Sequence, residues 1–330
     1  MVDNSHSWPP RRTQGLPRLR PPRGRASTSW PGAAIAPTHI SGHDHYRLTR
    51  PARATPWARI TELCTHETVE ALAQARGLAH LPHGLLRRLV RGRVRNFAAT
   101  LAEFDARITR FGLAAASAWG LQQWAGSLSR TGDFRCPGQA LLLVSNHPGL
   151  VDATTLLAQL GGHDVRLLVA DRALFEVLPG LAPHLIRIAP TQDSRTMALR
   201  DAARHLRRGG TVVTFPAGRI EPDPASRPAD ARVSLGHWSP SAAGLARLVP
   251  KLAVQPALVR DVLATRYRNH ILARRSIDAQ GRDAVAAALQ MLAARPDLVR
   301  PRLSIGSAIE AASAEGLQAE ILGTMDRLMR

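Results

Sequence analysis

Short apolar runs recur along residues 131–330 and limit the possible folds more strongly than any other feature of the chain. The runs are Ala140–Ser145, Val165–Ala170, Leu185–Ile188, Thr211–Phe215 and Ala253–Val259. Their length is typical of buried strands. Helix-like stretches separate several of them, and strands that alternate with helices are typical of a largely parallel sheet. We therefore predict an α/β fold with a mixed, largely parallel sheet flanked by helices.

Two helices of this region can be placed from the sequence. One follows the first apolar run, from about residue 152 to 160. The other is predicted to start at a cap formed by Asp193 or Ser194 and to continue to Arg208. The Gly209–Gly210 pair is predicted to end it, because glycine favours the backbone conformation of a helix C-terminus.

The chain before residue 131 divides into two predicted segments. Residues 1–45 are rich in Pro, Arg, Ser and Gly and lack an apolar period, which predicts a disordered Arg/Pro-rich tail. Residues 46–130 are predicted to be helical, because apolar side chains recur every three or four positions from Leu86 to Ile108. Residues 131–330 form the third predicted domain.

The long helical pattern carries a cluster of arginines near its start. These are Arg87, Arg88, Arg91, Arg93 and Arg95. One interpretation is a bundle helix with solvated arginines. The other is a basic amphipathic surface that docks on anionic lipid, helped by Trp119 and Trp124. The sequence leaves both interpretations open.

The whole chain is strongly basic, with 44 Lys and Arg against 25 Asp and Glu, a net charge of +19. A charge of this size favours an anionic membrane surface, a nucleic acid or an acidic substrate as partner. A bias towards Arg from genome base composition explains the excess equally well. Nucleic acid is the least favoured partner, since the sequence has neither an aromatic-rich RNA-binding signature nor a zinc pattern.

Cysteine content and hydropathy suggest a compartment. Cys64 and Cys136 are the only cysteines, too few for a disulfide framework or a zinc site. No N-terminal apolar core typical of a secretory signal is present, and no stretch has the length and hydrophobicity of a membrane span. We therefore expect a cytoplasmic protein, peripheral at the inner face of the membrane.

The first candidate site covers residues 145–152, where a strand gives way to a helix. Ligands of α/β sheets bind at this end of the strands. The Pro148-Gly149 turn could bring the Asp152 carboxylate back to His147. A carboxylate on one ring nitrogen leaves the other nitrogen free as a base, so that a substrate hydroxyl can be the nucleophile. The spacing alone is weak support, because His39 and Asp44 repeat it.

The second candidate site covers residues 214–221 and follows another apolar run. A turn at Pro216 and Gly218 presents backbone N–H groups, and Arg219 adds a planar set of donors. Phosphate suits this combination. A plain turn at the end of a strand, with Arg219 facing solvent, is the alternative.

These two sites resemble motifs of the 1-acylglycerol-3-phosphate acyltransferases, within the phospholipid and glycerol acyltransferase family. Asn146-His147 with Asp152 resembles the first motif of that family. Residues 215–219, Phe-Pro-Ala-Gly-Arg, are similar to the third, Phe-Pro-Glu-Gly-Thr-Arg.

Further segments match the remaining motifs in the same order. Leu185–Ile188 with Ser194-Arg195 resembles the second motif, a strand followed by an arginine that helps to hold the acceptor. Residues 241–246 and 254–258 resemble the fourth, an apolar strand with a proline. The stretches 303–306 and 311–329 are similar to the late strand and closing helix of the family. The resemblance covers about 134–329 and implies that residues 131–330 are an acyltransferase domain with the fold of that family.

The resemblance implies acyl transfer from acyl-CoA or an acyl-carrier protein to the hydroxyl of a lysophosphatidic acid-type lipid. His147 is the implied general base and Asp152 its partner. The acceptor and donor would be co-substrates, with no bound cofactor and no metal. The residues implied in substrate binding are Asn146, Arg187, Arg195, Phe215, Pro216, Gly218, Arg219 and Glu221.

The chain departs from the family at the third motif. Ala217 stands where Glu is usual, and Arg219 is one position early. Glu221 is a candidate replacement for the carboxylate. Asp223, Asp230 and Arg232 follow in a Pro-rich segment that we interpret as a lid or a linker. A different lipid acceptor, such as a glycolipid or an amino-lipid precursor, and a decayed, lipid-binding protein are therefore the alternatives.

Overall fold

The computed structural model describes residues 56–73, 82–276, 278–310 and 316–330. The helices are α1 (Pro56–Ala73), α2 (His83–Phe111), α3 (Leu113–Trp124), α4 (Val151–Leu157), α5 (Gln192–Arg207), α6 (Pro228–Leu235), α7 (Ser241–Leu248), α8 (Thr265–Arg268), α9 (Ile271–Arg274), α10 (Ala279–Ala293) and α11 (Leu317–Leu328). The strands are β1 (Ser129–Thr131), β2 (Leu141–Ser145), β3 (Val165–Ala170), β4 (Leu185–Ile188), β5 (Thr211–Thr214), β6 (Ala253–Arg260), β7 (Arg302–Ile305) and β8 (Ile309–Glu310). Short 3-10 helices span Ala173–Val177, Ala182–His184 and Pro296–Leu298.

The strands form one mixed sheet in the order β1-β7-β6-β2-β5-β3-β4, with β8 paired to β6. The five strands β6, β2, β5, β3 and β4 run parallel to one another. Strand β6 is antiparallel to β7 and to β8, and β1 is parallel to β7. The predicted fold class, a mixed and largely parallel sheet flanked by helices, is confirmed.

Alternating residues of the central strand face two different layers. Leu141 and Leu143 of β2 belong to the core shared with α2, α3 and α4. Leu142 and Val144 belong to the core shared with α5, α7 and α11. Successive side chains of a strand point to opposite faces, so a strand covered on both faces is apolar throughout. This explains the continuous apolar runs in the sequence.

A buried carboxylate joins the N-terminal helices to the sheet. Asp105 of α2 accepts hydrogen bonds from the backbone N–H groups of Gly180 (3.1 Å) and Leu181 (2.8 Å). A Cβ atom at Gly180 would lie 2.3 Å from the Asp105 carbonyl oxygen. Helix α2 therefore packs on this segment at a distance that only glycine permits.

Several local predictions need correction. The cap of α5 is Thr191, whose hydroxyl accepts from the Ser194 N–H, and not Asp193 or Ser194. Residues 241–246 lie in α7 and not in a strand, whereas residues 254–258 lie in β6. The Pro-rich segment after the second site contains α6, and therefore is not a loop throughout.

Some predictions lie beyond what the structure describes. The tail at 1–45 and residues 311–315, which precede α11, fall outside the described residues. Helices α1, α2 and α3 lie in the range predicted to be helical. The division into three domains stays a prediction. No helix in the described ranges is both long and apolar enough to cross a membrane.

Candidate functional site

The candidate site lies where three parallel strands end at one edge of the sheet. Val144 of β2 is in register with Thr214 of β5, and Ser145 is in register with Ala257 of β6. Since parallel strands bring their carboxyl ends together, the loops that follow β2, β5 and β6 are neighbours. Two of these loops, residues 146–150 and 215–227, hold most of the two candidate segments at 145–152 and 214–221.

His147 and Asp152 are in direct contact. The Nδ1 atom of His147 lies 2.8 Å from Oδ2 of Asp152. Asp152 is completely buried in the first turn of α4, and its Oδ1 accepts the backbone N–H of Ala153 at 2.7 Å. Its Oδ2 also accepts the N–H of Gly149 at 3.3 Å. Asp152 thus organises the turn and orients the imidazole at the same time.

The contact with Asp152 defines the working nitrogen of the imidazole. An ionised carboxylate on Nδ1 requires a proton there and leaves Nε2 with its lone pair. Nε2 has no hydrogen-bond partner within the described ranges, and 22% of the His147 side chain is exposed. Burial alone lowers the pKa of His147, but the charge and hydrogen bond of Asp152, with a smaller contribution from Glu221, raise it above its ordinary value.

The third-motif segment forms one wall of the site. The ring of Phe215 packs against the His147 imidazole, with centroids 4.7 Å apart and an angle of 31° between the planes. Pro216 is buried, and its carbonyl accepts the N–H of Ser239 at 3.0 Å. Gly218 has a φ of +63°, which closes a turn back onto the Phe215 carbonyl. The turn predicted from Pro216 and Gly218 is therefore formed, and it places an aromatic ring on the histidine.

Asn146 is buried and bound to the neighbouring strand. Its Nδ2 donates to the Val259 carbonyl, and its Oδ1 accepts the Val259 N–H, both at 2.8 Å. The side-chain amide therefore fixes the start of the His147 loop to β6. Its predicted contact with substrate stays a prediction.

Glu221 is a buried carboxylate that also binds the loop of His147. Its Oε2 accepts the backbone N–H of His147 at 2.9 Å, and its own N–H donates to the His147 carbonyl at 2.8 Å. Its Oε1 accepts from the hydroxyl of Ser234 (2.7 Å) and from the indole N–H of Trp238 (2.8 Å). Burial raises the pKa of Glu221, and the hydrogen bonds from Trp238, Ser234 and His147 oppose that shift.

The three predicted arginines are exposed, and none of their hydrogen-bond or ion-pair partners belongs to this cluster within the described ranges. Arg187 is on β4, three strands from β2, and pairs with Asp171 at 3.4 Å. Arg195 projects from α5, and Arg219 donates to Gln280 at 3.3 Å. In the part of the chain that the structure describes, none of them bonds to His147 or Asp152. Their predicted role in holding an acceptor stays a prediction.

The site also contains residues that sequence reasoning missed. Ser234 and Trp238, which hold Glu221, carry no motif. Asp223 lies farther along the same segment, outside this cluster. It is buried and accepts the N–H groups of Asp261 (3.1 Å), Val262 (2.9 Å) and Leu263 (3.2 Å). A buried carboxylate is signalled in sequence only by an acidic residue among apolar neighbours, which is not a specific pattern.

No cluster of three or more His, Cys, Asp or Glu side chains is arranged to hold a metal ion within the described ranges. The chemistry that these residues can perform is proton transfer at His147 Nε2. Asp152 would stabilise the imidazolium that forms, and the flat ring of Phe215 covers one side of it.

The comparisons with known proteins include a structural similarity of low degree. No protein-family model matches the sequence, and no curated protein matches it. The structure is similar to the crystal structure of the 1-acyl-sn-glycerophosphate (LPA) acyltransferase from Thermotoga maritima. The TM-score is 0.37 with 15% sequence identity, over 82% of this chain and 95% of that chain. The proposals below depend on the geometry around His147 and on the motif resemblance.

Proposed function

We propose that this protein is an O-acyltransferase that moves a fatty acyl group from a thioester donor to the hydroxyl of a lyso-lipid. The observation that carries the proposal is the contact between His147 Nδ1 and the buried Asp152 carboxylate, which leaves Nε2 unpaired within the described ranges. The motif resemblance supports acyl-CoA or acyl-carrier protein as donor. It also supports an acceptor of the lysophosphatidic acid type.

In the proposed reaction His147 acts first as base and then as acid. The acceptor hydroxyl gives its proton to Nε2 while its oxygen attacks the thioester carbonyl carbon. The tetrahedral intermediate then expels the thiolate, which takes the proton back from the imidazolium. The second ring proton stays on Nδ1 throughout and is donated to Asp152, whose negative charge stabilises the imidazolium. The products are an ester and a free thiol, so no other reactant is needed.

The nature of the acceptor depends on the third motif. Ala217 cannot provide the carboxylate that the family has there, and Arg219 is exposed and bonded to Gln280. We propose a glycerophosphate-type acceptor, held by exposed guanidinium groups among Arg187, Arg195 and Arg219. A lipid acceptor without phosphate is the alternative that Ala217 favours.

We further propose that the protein works at an anionic membrane surface, at the inner face of the membrane. A groove of about 750 Å³ between α1 and α2 is lined by four arginines, at 87, 88, 91 and 95, against one acid, Glu62, and also by Trp57, Thr61 and Thr65. None of these arginines has an ion-pair partner within the described ranges. Unpaired guanidinium groups beside an exposed indole suit lipid headgroups. The predicted help from Trp124 is wrong, because Trp124 is buried against Phe97.

The proposal is tested by assaying the purified chain with acyl-CoA and acyl-carrier protein, each with lysophosphatidic acid and with neutral lipid alcohols. Ester formation in the wild type, lost in His147→Ala and kept in His237→Ala, is the expected result. His237 is an exposed histidine and serves as the matched control. Absence of ester with every acceptor, together with retained liposome binding, would instead support a decayed, lipid-binding protein. Equal rates with phosphorylated and neutral acceptors would contradict the proposed acceptor class.

A further inference from the structure

Glu221 joins three elements at the back of the candidate site. It follows β5, its Oε2 accepts the N–H of His147 in the loop after β2, and its Oε1 accepts from Ser234 in α6 and from Trp238. Only 2% of Glu221 is exposed. The family resemblance implied a contact between Glu221 and substrate, but the carboxylate is almost completely buried and bonds protein groups on both oxygens.

The contacts suit a carboxylate and not an amide. Two of the three partners, the His147 N–H and the Trp238 indole N–H, can only donate, and they reach different oxygens. A glutamine has one oxygen, so its NH₂ group would face one of these donors. The ionised carboxylate is thus the form of the side chain that can accept a hydrogen bond from both N–H donors.

The placement of Glu221 also explains the departure at Ala217. Ala217 packs partly buried against the core on the α5 side of the sheet, and no carboxylate enters the site from that position. Four residues later, the chain brings Glu221 alongside the His147 backbone in a reciprocal pair of hydrogen bonds. Relative to the family motif, the carboxylate stands four residues later in this chain, and it accepts the backbone N–H of the histidine directly.

We propose that Glu221 is a positioning residue that locks the backbone of His147 and places a buried negative charge behind its imidazole. This role rests on the proposed function, in which His147 is the base. The charged groups that face His147 are Asp152, from α4, and Glu221, from the segment after β5. Apart from the His147 imidazole itself, no cationic side chain forms an ion pair with either acid within the described ranges. The charge of Glu221 therefore supports the protonated imidazole without a competing counter-ion.

The test compares Glu221→Gln with Asp223→Asn in the full-length protein. Asp223 is a matched control, because it is also a buried carboxylate in the same segment but bonds only backbone N–H groups at 225 and 261–263. Two readouts are taken on each variant. One is the pKa of His147 from NMR of isotope-labelled imidazole, which needs no activity. The other is the pH profile of kcat/KM for acyl transfer.

We expect Glu221→Gln to lower the pKa of His147 and to move the acidic limb of the profile to lower pH by the same amount. We also expect kcat to fall about tenfold or more, with KM little changed, because the base is misplaced. Asp223→Asn should change neither the pKa of His147 nor the position of the acidic limb of the pH profile. An unmoved pKa in a folded Glu221→Gln protein, or an equal movement in both variants, would overturn the proposal.

A measurement on the wild type covers the case in which Glu221→Gln does not fold. The His147 amide and the Trp238 indole protons bond the two oxygens of one carboxylate, so both resonances should move with the side-chain carbon of Glu221 as pH changes. Independent movement of the three would overturn the role. If these shifts agree but no ester forms, the proposed acyl transfer fails while the positioning of His147 stands.

Discussion

The imidazole of His147 packs against the ring of Phe215, with ring centroids 4.7 Å apart and planes inclined by 31°. Asp152 holds one ring edge through Nδ1, so the aromatic ring and the carboxylate together restrict both rotations of the side chain. The geometry of the proposed base therefore depends on two segments that lie more than sixty residues apart in the sequence.

We expect Phe215→Leu to lower kcat by about tenfold, because the leucine keeps most of the volume but not the flat surface against the imidazole. Steady-state kinetics would measure the loss. Phe175→Leu is a suitable control, since Phe175 packs in a separate core cluster. A similar loss in both variants would mean that general destabilisation, and not the ring contact, causes the effect.

Asp152→Asn should reduce kcat by about 10²–10⁴-fold, because an amide can favour the wrong tautomer of His147 and no longer stabilises the imidazolium. Asp105→Asn is a matched control: Asp105 is also buried and accepts two backbone N–H groups, but it holds α2 and not the site. We expect Asp105→Asn to lower the melting temperature and to leave kcat nearly unchanged. Retention of full activity by Asp152→Asn would exclude the proposed pair.

The rate of transfer should rise with pH through a pKa above the ordinary value of histidine. Only the neutral imidazole is a base, and Asp152 and Glu221 outweigh burial to raise the pKa of His147. The base is therefore lost as pH falls through this raised value. The pH profile of kcat/KM would locate the acidic limb. An acidic limb of His147 at or below about pH 6.5, the ordinary histidine pKa, would contradict this prediction.

Charge reversal at the α2 arginines should weaken binding to anionic vesicles. We expect Arg88→Glu, Arg91→Glu and Arg95→Glu combined to reduce binding by about tenfold or more at low salt, since each basic residue near an anionic surface contributes about 1 kcal/mol. Co-sedimentation with phosphatidylglycerol vesicles would measure it. The control combines Arg200→Glu, Arg208→Glu and Arg247→Glu, which change the net charge equally at exposed positions on or beside α5 and α7. An equal loss in the control would show that binding follows net charge alone.

Gly180→Ala should destabilise the fold by about 1–3 kcal/mol, because the added Cβ would meet the Asp105 carbonyl oxygen at 2.3 Å. Thermal unfolding would detect the change. Gly92→Ala, in the middle of α2, has no atom within 4 Å of its added Cβ. We expect this control to be neutral or slightly stabilising, because alanine favours a helix over glycine. Equal melting temperatures for the two variants would contradict the close approach of α2.

Interactions between neighbours in the chain could be predicted from the sequence. Strands β2 and β5 are buried at every position, so the apolar runs at 140–145 and 211–215 predicted them to within one residue. The contact between His147 and Asp152 spans five residues and is closed by a Pro-Gly turn, which the sequence also displays. The cap of α5 was missed because Thr191, Asp193 and Ser194 are all good caps, and the local backbone decides among them.

Only the tertiary structure determined which side chains support that pair. Glu221 meets the His147 N–H across a separation of 74 residues and meets Trp238 across 17, and neither separation leaves a pattern in the sequence. Ser234 of α6 and Trp238 donate to one oxygen of the buried Glu221 carboxylate, and the His147 N–H donates to the other. A periodic pattern can be recognised in the sequence because it repeats along the chain, and a local contact because its residues are close in the sequence. A single contact between distant segments cannot, because it exists only once the sheet has brought their ends together.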